Sequence, residues 1–395
     1  MSQKIVISGG GILGISIGIA ILKLDNRNTV EIHEKENHVA EHASGRNSGV
    51  LHAGFYYSPE SLKAKFCREG NQQLQFYIKK YDVPYARPGK VVLAQSESES
   101  AGLAKLYDRG IKNGVELEMR PARELASVEP LATSHHDFLW SPSTGVSDPI
   151  KVTEALAKEF VALGGIIQLG SEISYNDELL ANGRRLHADH FINAAGAYSI
   201  DLAHAMNFGK NYRVMPFLGT YKQVEQKSLP IRTLIYPVPH PVNPFLGVHF
   251  TLTIDKKVKI GPTAIPILGK EQYRILDGFN VSDVRDFIRN TTSIIRGEKH
   301  NLGSIAISEF PNLIEKTLIN RASKLVPTVG SVKNWEKKRP GIRSQLLNVA
   351  KGELVQDFVV EGDGQSTHVL NAVSPGWTAA MPFGEYVAKI ALKLS

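Results

Sequence analysis

A chain of 395 residues, 42% hydrophobic and 22% charged, is long enough for two or three domains and apolar enough to bury their cores, which excludes a disordered or collagen-like molecule. Its 46 Lys and Arg against 39 Asp and Glu leave a formal net charge of +7, compatible with anionic substrates, acidic lipid or nucleic acid without choosing among them. A single cysteine, Cys67, excludes a disulfide framework and any multi-cysteine zinc or iron–sulfur centre and fits a reducing compartment; the expected location is the cytoplasm, with peripheral contact at the inner membrane face left open.

Residues 4–8 read as a short apolar strand, followed by a glycine turn and a helix running to about residue 25. The uncharged stretch 5–22 imitates a membrane span, but Gly9, Gly10, Gly11, Gly14 and Gly18 argue against one. Gly9, Gly11 and Gly14 instead supply G-x-G-x-x-G. The first permits the turn, the second lets backbone N–H groups approach a pyrophosphate, and the third lets helix and strand pack closely. Phosphate then sits on the helix N-terminus, opened here by Ile12 and Leu13. A second strand, 29–33, ends in Glu34, twenty residues beyond Gly14, where a ribose-binding acid belongs; Lys35 adjoins it. The plainer reading of Glu34 is a solvated charge, and Glu31 is a weaker ribose candidate.

Residues 43–54, A-S-G-R-N-S-G-V-L-H-A-G, are small and hydrogen-bonding, suited to press main chain against a large flat cofactor. Ser44, Arg46, Asn47, Ser48 and Gly49 are the candidates there; a flexible surface loop is the alternative. Cys67 is expected to be an inert thiol on a helix. Helical spacing of Val152, Leu156, Phe160 and Leu163 predicts a helix over 150–164, before a short strand at 166–169. Asn182-Gly183 marks a hairpin turn. An apolar strand near 191–197 ends at Ala195 and Gly196, and the stretch 371–380, with Pro375, Gly376 and Thr378, precedes a helix from about residue 383.

Alternating strands at 90–94, 221–225, 246–254 and 257–261, with helices near 283–295 and 314–325, predict a second unit. The expected fold is α/β: a Rossmann-like nucleotide domain on a mostly parallel sheet (1–85, 146–207 and 340–395) capped by an antiparallel-sheet α+β substrate domain (86–145 and 208–339). No internal repeat is evident. Lys337-Lys338-Arg339 is too short a basic run to suggest nucleic acid, and none is expected as a partner.

The glycine triad with Glu34, the run from Arg46 to Gly70 (R-N-S-G-V-L-H-A-G-F-Y-Y-S-P-E-S-L-K-A-K-F-C-R-E-G), the block 235–251 and Gly261-Pro262-Thr263-Ala264 together resemble FAD-dependent oxidoreductases of the D-amino-acid-oxidase type. Within them the chain is most similar to the L-2-hydroxyglutarate oxidases or dehydrogenases, over essentially its whole length. The resemblance implies FAD as cofactor and oxidation of an L-2-hydroxy acid, foremost L-2-hydroxyglutarate to 2-oxoglutarate, with hydride passing to flavin N5 and electrons to quinone or O2. The alternative is a relative acting on an amino acid, sarcosine or glycerol phosphate. Leu218, Thr220, His240, Thr263 and Gly376-Trp377 depart from the family's usual residues.

Such chemistry needs a base for the hydroxyl proton and an anchor for carboxylate. His52, in the cradle, and His249, on a cap strand, are the candidate bases, against the plainer reading of hydrogen-bonded core histidines. Arg343 is the first candidate anchor, ahead of Tyr56, Tyr57, Tyr236 and Lys63. Lys63, on a predicted helix, is expected to be a solvated charge. No metal site is expected.

Overall fold

The computed structural model describes residues 2–239, 246–275, 278–296 and 309–394. Strand β1 (Lys4–Ser8) carries Ile5, Val6 and Ile7 at 0% exposure, as a central strand covered on both faces must. It leads through the glycine turn into helix α1 (Ile12–Leu24) and on to β2 (Thr29–Glu34), parallel to β1. These lie in a six-stranded sheet of order Val359–Gly362, Ser366–Asn371, His190–Asn193, β1, β2, Ile166–Leu169. Only the Val359–Gly362 edge is antiparallel. Helix α1 packs on the helix Gly376–Ala391, which also packs on α2 (Leu62–Lys80). Phe66, Phe358 and Phe383 stack in this core, the last two with ring centroids 4.3 Å apart.

The second unit is an eight-stranded sheet whose centre runs Lys257–Gly261, His249–Leu252, Leu234–Pro237, Lys90–Leu93, Asp137–Ser141. It is antiparallel except where Leu234–Pro237 pairs in parallel with Lys90–Leu93. The cap is thus the antiparallel sheet expected, with this one parallel pairing inside it. The two strands lie far apart in sequence, so no hairpin turn dictates their direction. Period-two alternation divides the sheet into two faces. Val91, Phe138, Ile235, Phe250, Val258 and Ile260 pack on one, in a core that includes Leu318 and Ala322 of the helix Glu315–Ala322. Lys90, Tyr236, His249, Thr251 and Lys259 alternate with them and stand on the other.

A four-stranded sheet pairs Tyr212–Gly219 with Gly341–Asn348 along their full lengths. Residues 341–354 thereby join a strand from 212–219 rather than the parallel sheet, so the boundary expected near 340 is crossed by continuous pairing. Met215, Phe217, Leu347 and Leu354 bury one core there, and Val214 and Leu346 another with Ile200 and Leu370. Asn182 and Gly183, at φ 49° and 75°, close the predicted hairpin turn. The last helix begins at Gly376, seven residues before its expected start. Trp377, Thr378, Ala379 and Ala380 are buried as part of it, and Pro382 is carried within it. Among the described residues no helix is long and apolar enough to cross a membrane.

Candidate active site

The candidate nucleotide residues gather at the carboxyl ends of the parallel strands, where ligands of open α/β sheets bind. Gly9 has φ +111°, and a Cβ there would lie 2.5 Å from the Ala194 carbonyl oxygen; at Gly14 it would lie 2.0 Å from that of Gly9. The turn therefore excludes side chains at both positions. Gly11 caps α1 without a side chain, leaving the positive end of the helix dipole beside the turn. Ile12 N–H donates to Ser44 Oγ at 2.9 Å, which ties the cradle to α1 one residue before Leu13. Glu34 stands beside the turn as the motif requires: Oε2 accepts from Gly10 N–H at 2.7 Å and Oε1 from Glu36 N–H at 3.0 Å. Lys35 Nζ bridges Glu36 and Glu271 at 2.6 and 2.5 Å.

The cradle is ordered by its own polar side chains, not a loose surface loop. Asn47 Nδ2 donates to the Ala43 and Ser44 carbonyls at 3.2 and 2.7 Å, and its Oδ1 accepts from Gly49 N–H at 2.8 Å. Arg46 donates to the Glu41 carbonyl at 2.8 Å and lies 3.7 Å over the Tyr273 ring; Ser48 is half-buried. Thr378 Oγ1 donates to the Val50 carbonyl at 3.1 Å and accepts from His52 N–H at 3.2 Å, fixing the cradle to the last helix. Beside Ala195 and Pro375, at the ends of two more parallel strands, an added Cβ on Gly196 or Gly376 would meet nothing within 4 Å. The N-terminus of α1, a carboxylate at the second strand end and a shelf of small residues along open space suit the pyrophosphate, ribose and flat ring of FAD.

Beyond the cradle, His52 meets the cap sheet. Its Nδ1 lies 3.5 Å from Lys90 Nζ. His249 Nδ1 donates to the Gly247 carbonyl at 2.9 Å, which leaves Nε2 as the lone-pair nitrogen; its ring stacks on Tyr236 with centroids 3.9 Å apart. Burial keeps both imidazoles neutral. It holds His52 well below its usual range, helped by the charges of Lys90 and Arg343. It pushes His249 down to about 3, the Gly247 carbonyl opposing and Arg343 and Lys90 assisting. Arg343 acts on both histidines and on Tyr57 and Tyr236, so the sequence-derived candidates share one neighbourhood. Burial raises the Tyr57 phenol well above its ordinary value, while Ser374 hydrogen-bonds to it. Tyr56 Oη is buried with no hydrogen-bond partner among the described residues.

Two lysines here escaped the sequence reading. Lys90 is fully buried, and desolvation drives its amine down to about 7. It opens the strand Lys-Val-Val-Leu, where a charge ahead of an apolar run reads as a solvated strand end; only its position on the same alternating face as Val92 hints otherwise. Lys259 shares the face of His249 and Thr251 and is brought to about 8 by burial, with Lys338 adding to the effect. Lys63, expected in solvent, is corrected: it is 6% exposed, with Nζ 5.8 Å from the Phe358 ring centroid. Asp357 holds the Leu62 and Lys63 N–H groups at 2.8 and 3.0 Å, fixing that turn of α2 against the core. Cys67 is the expected inert thiol, pushed up to about 12 by burial and donating to the His52 carbonyl at 3.4 Å. His240 lies outside the described residues.

The chain matches the family model DAO, FAD dependent oxidoreductase, over residues 4–390. It is 34% identical over 393 residues to L-2-hydroxyglutarate dehydrogenase of Salmonella houtenae, covering 97% of this chain and 91% of that protein. With the mitochondrial L-2-hydroxyglutarate dehydrogenase of Homo sapiens it shares 30% identity over 412 residues, covering 98% and 88%. Among solved structures, the dithionite-reduced L-alpha-glycerophosphate oxidase from Mycoplasma pneumoniae with FAD bound aligns with a TM-score of 0.74 at 20% identity, over 99% of this chain and 95% of that one. That likeness shows a shared fold. With a family match running nearly from end to end, and a glycine turn, acid and cradle that suit the dinucleotide, the chain belongs to the DAO family of FAD dependent oxidoreductases.

Proposed function

We propose that this FAD-dependent oxidoreductase converts L-2-hydroxyglutarate to 2-oxoglutarate. The observation that carries the reading is the group of two neutral histidines, His52 and His249, beside the Arg343 guanidinium and the buried Lys90 amine. A neutral imidazole can accept the C2 hydroxyl proton, and a guanidinium can fork onto the adjoining carboxylate. In this account His52 is the base, Arg343 anchors a carboxylate, Tyr57 donates to it, and His249 Nε2 orients the hydroxyl. FAD, when bound, accepts the hydride from C2. Gly9, Gly11, Ile12, Leu13 and Gly14 would hold its pyrophosphate, Glu34 and Lys35 its ribose, and the cradle with Ala195, Gly196, Pro375 and Gly376 its ring end.

Functionally the chain divides into a nucleotide unit and a cap, with the paired strand Gly341–Asn348 as their seam. Electrons leave to a quinone or to O2. A quinone acceptor goes with peripheral contact at the inner membrane face, a reading supported by exposed Phe279, Val281 and Ile288 beside Arg285 and Arg289 on or next to the helix Val281–Arg296. The test is anaerobic mixing of the holoenzyme with L-2-hydroxyglutarate. Bleaching of the flavin band is expected; a flavin bleached instead by an amino acid, sarcosine or glycerol phosphate would reject the substrate. Readmitting O2 or a quinone then identifies the acceptor by the faster return of colour.

A further inference from the structure

We propose that Lys90 and His52 form a pair holding a single proton, in which Lys90 is the positioning residue that receives, through His52, the proton leaving the substrate hydroxyl. The inference rests on the hydroxy-acid reading and deepens it.

The first support is the placement of Lys90. Its side chain is 0% exposed, yet among the described residues no carboxylate pairs with it. Its neighbours are His52 Nδ1 at 3.5 Å and the ring centroids of Tyr236, Tyr56 and Phe55 at 4.2, 5.1 and 5.4 Å. An ammonium so placed is expensive to bury, and a methionine would fill the same strand position without that cost. An amine kept there has a use for its basicity.

The second support is direction. The nitrogen of His52 turned toward Lys90 is Nδ1, and Nε2 has no hydrogen-bond partner among the described residues. An imidazole can take a proton on one nitrogen while releasing one from the other. The titratable groups around Lys90 are His52 from the cradle, Tyr56 just beyond it, Cys67 from α2, and Tyr236 and His249 from the cap sheet, with Arg343 acting on both histidines; the strand Asp137–Ser141, paired with it on the other side, sets Ser141 opposite Lys90. The phenols and the thiol are held protonated by burial, and the histidines are held neutral. The Lys90 amine, at about 7, is the group in this set able both to lose and to retain a proton near neutrality.

The step balances. The hydroxyl O–H bond breaks, its proton goes to His52 Nε2, and the proton on Nδ1 passes to the neutral amine, which becomes an ammonium. With FAD bound, the C2–H electron pair would leave to it as hydride while the C2 carbonyl forms. The ammonium releases its proton to solvent when product departs.

The test uses holoenzyme, wild type with Lys90→Met and Lys90→Arg, in anaerobic flavin bleaching across pH 5.5–9.5 on the order of ten-fold proton steps. Wild type should bleach faster as pH rises through about 7. Lys90→Met should lose that transition and slow by roughly 10²–10⁴-fold, and Lys90→Arg, charged throughout, should be equally slow. A second readout needs no turnover. Calorimetry of 2-oxoglutarate binding, in buffers of different ionisation enthalpy, should show proton uptake near pH 7 in wild type and none in Lys90→Met. The inference is overturned if Lys90→Met keeps the wild-type rate and pH profile, if Lys90→Arg restores the rate, if only KM rises, or if wild type takes up no proton. Wild-type flavin unbleached by L-2-hydroxyglutarate at every pH would remove both readings; bleaching that ignores Lys90 removes this one alone.

Discussion

Lys90 sets a stability cost against a chemical use. Its amine falls from an ordinary 10.5 to about 7 through loss of hydration, corresponding to a cost on the order of 5 kcal/mol to the folded state near neutral pH. The sign follows from proton counting. Below about pH 7 the folded and unfolded chains both carry the proton and the cost stands in full; it shrinks as pH climbs toward 10.5, where the unfolded chain loses its proton as well. Lys90→Met should therefore raise the denaturation midpoint at pH 6 and gain much less at pH 10, measured by urea unfolding with FAD in fixed excess. An equal gain at both values would mean the amine is not the source. At Arg343 the prediction is kinetic. Lys keeps the charge but loses the fork, so Arg343→Lys should raise KM by roughly ten-fold or more while kcat changes less, read from steady-state rates. Such a residue as Lys90 is hard to see in sequence, because its meaning depends on which strands lie beside it.

The elements proposed to hold FAD were legible where the signal is local. The strand, glycine turn, helix and second strand of residues 4–34 sit in one continuous segment, and Asn182-Gly183 carries its turn geometry in two residues. The parallel pairing of Lys90–Leu93 with Leu234–Pro237, and of Gly341–Asn348 with Tyr212–Gly219, joins distant segments, and no local pattern encodes either partner. The early start of the last helix was hidden by Gly376 and Pro382, which read as breakers until Trp377 and the alanines are seen buried against α1 and α2. Two substitutions probe this layer. Gly14→Ala would place a Cβ 2.0 Å from the Gly9 carbonyl, so the purified protein should lose most of its flavin absorbance. Thr378→Val keeps shape but removes the bonds to Val50 and His52, and should cost about 1–3 kcal/mol in unfolding and slow bleaching by loosening His52.

At the scale of the molecule, the parallel sheet gathers its strand ends at the glycine turn, and the cap sheet carries Lys90, Tyr236, His249 and Lys259 on one face, the face proposed to meet substrate. The seam between them carries His52 on one side and Arg343 on the other. A cofactor bridging so much of one unit should stabilise the fold by mass action, about 2.7 kcal/mol at a hundred-fold excess over Kd, seen as a melting temperature that rises with added FAD. The central claim is that this cleft passes two electrons from a 2-hydroxy acid to FAD. Anaerobic titration of the holoenzyme with L-2-hydroxyglutarate tests it most directly. The account predicts that each equivalent of substrate bleaches one equivalent of flavin and yields one of 2-oxoglutarate. A flavin that stays yellow in excess substrate would contradict it.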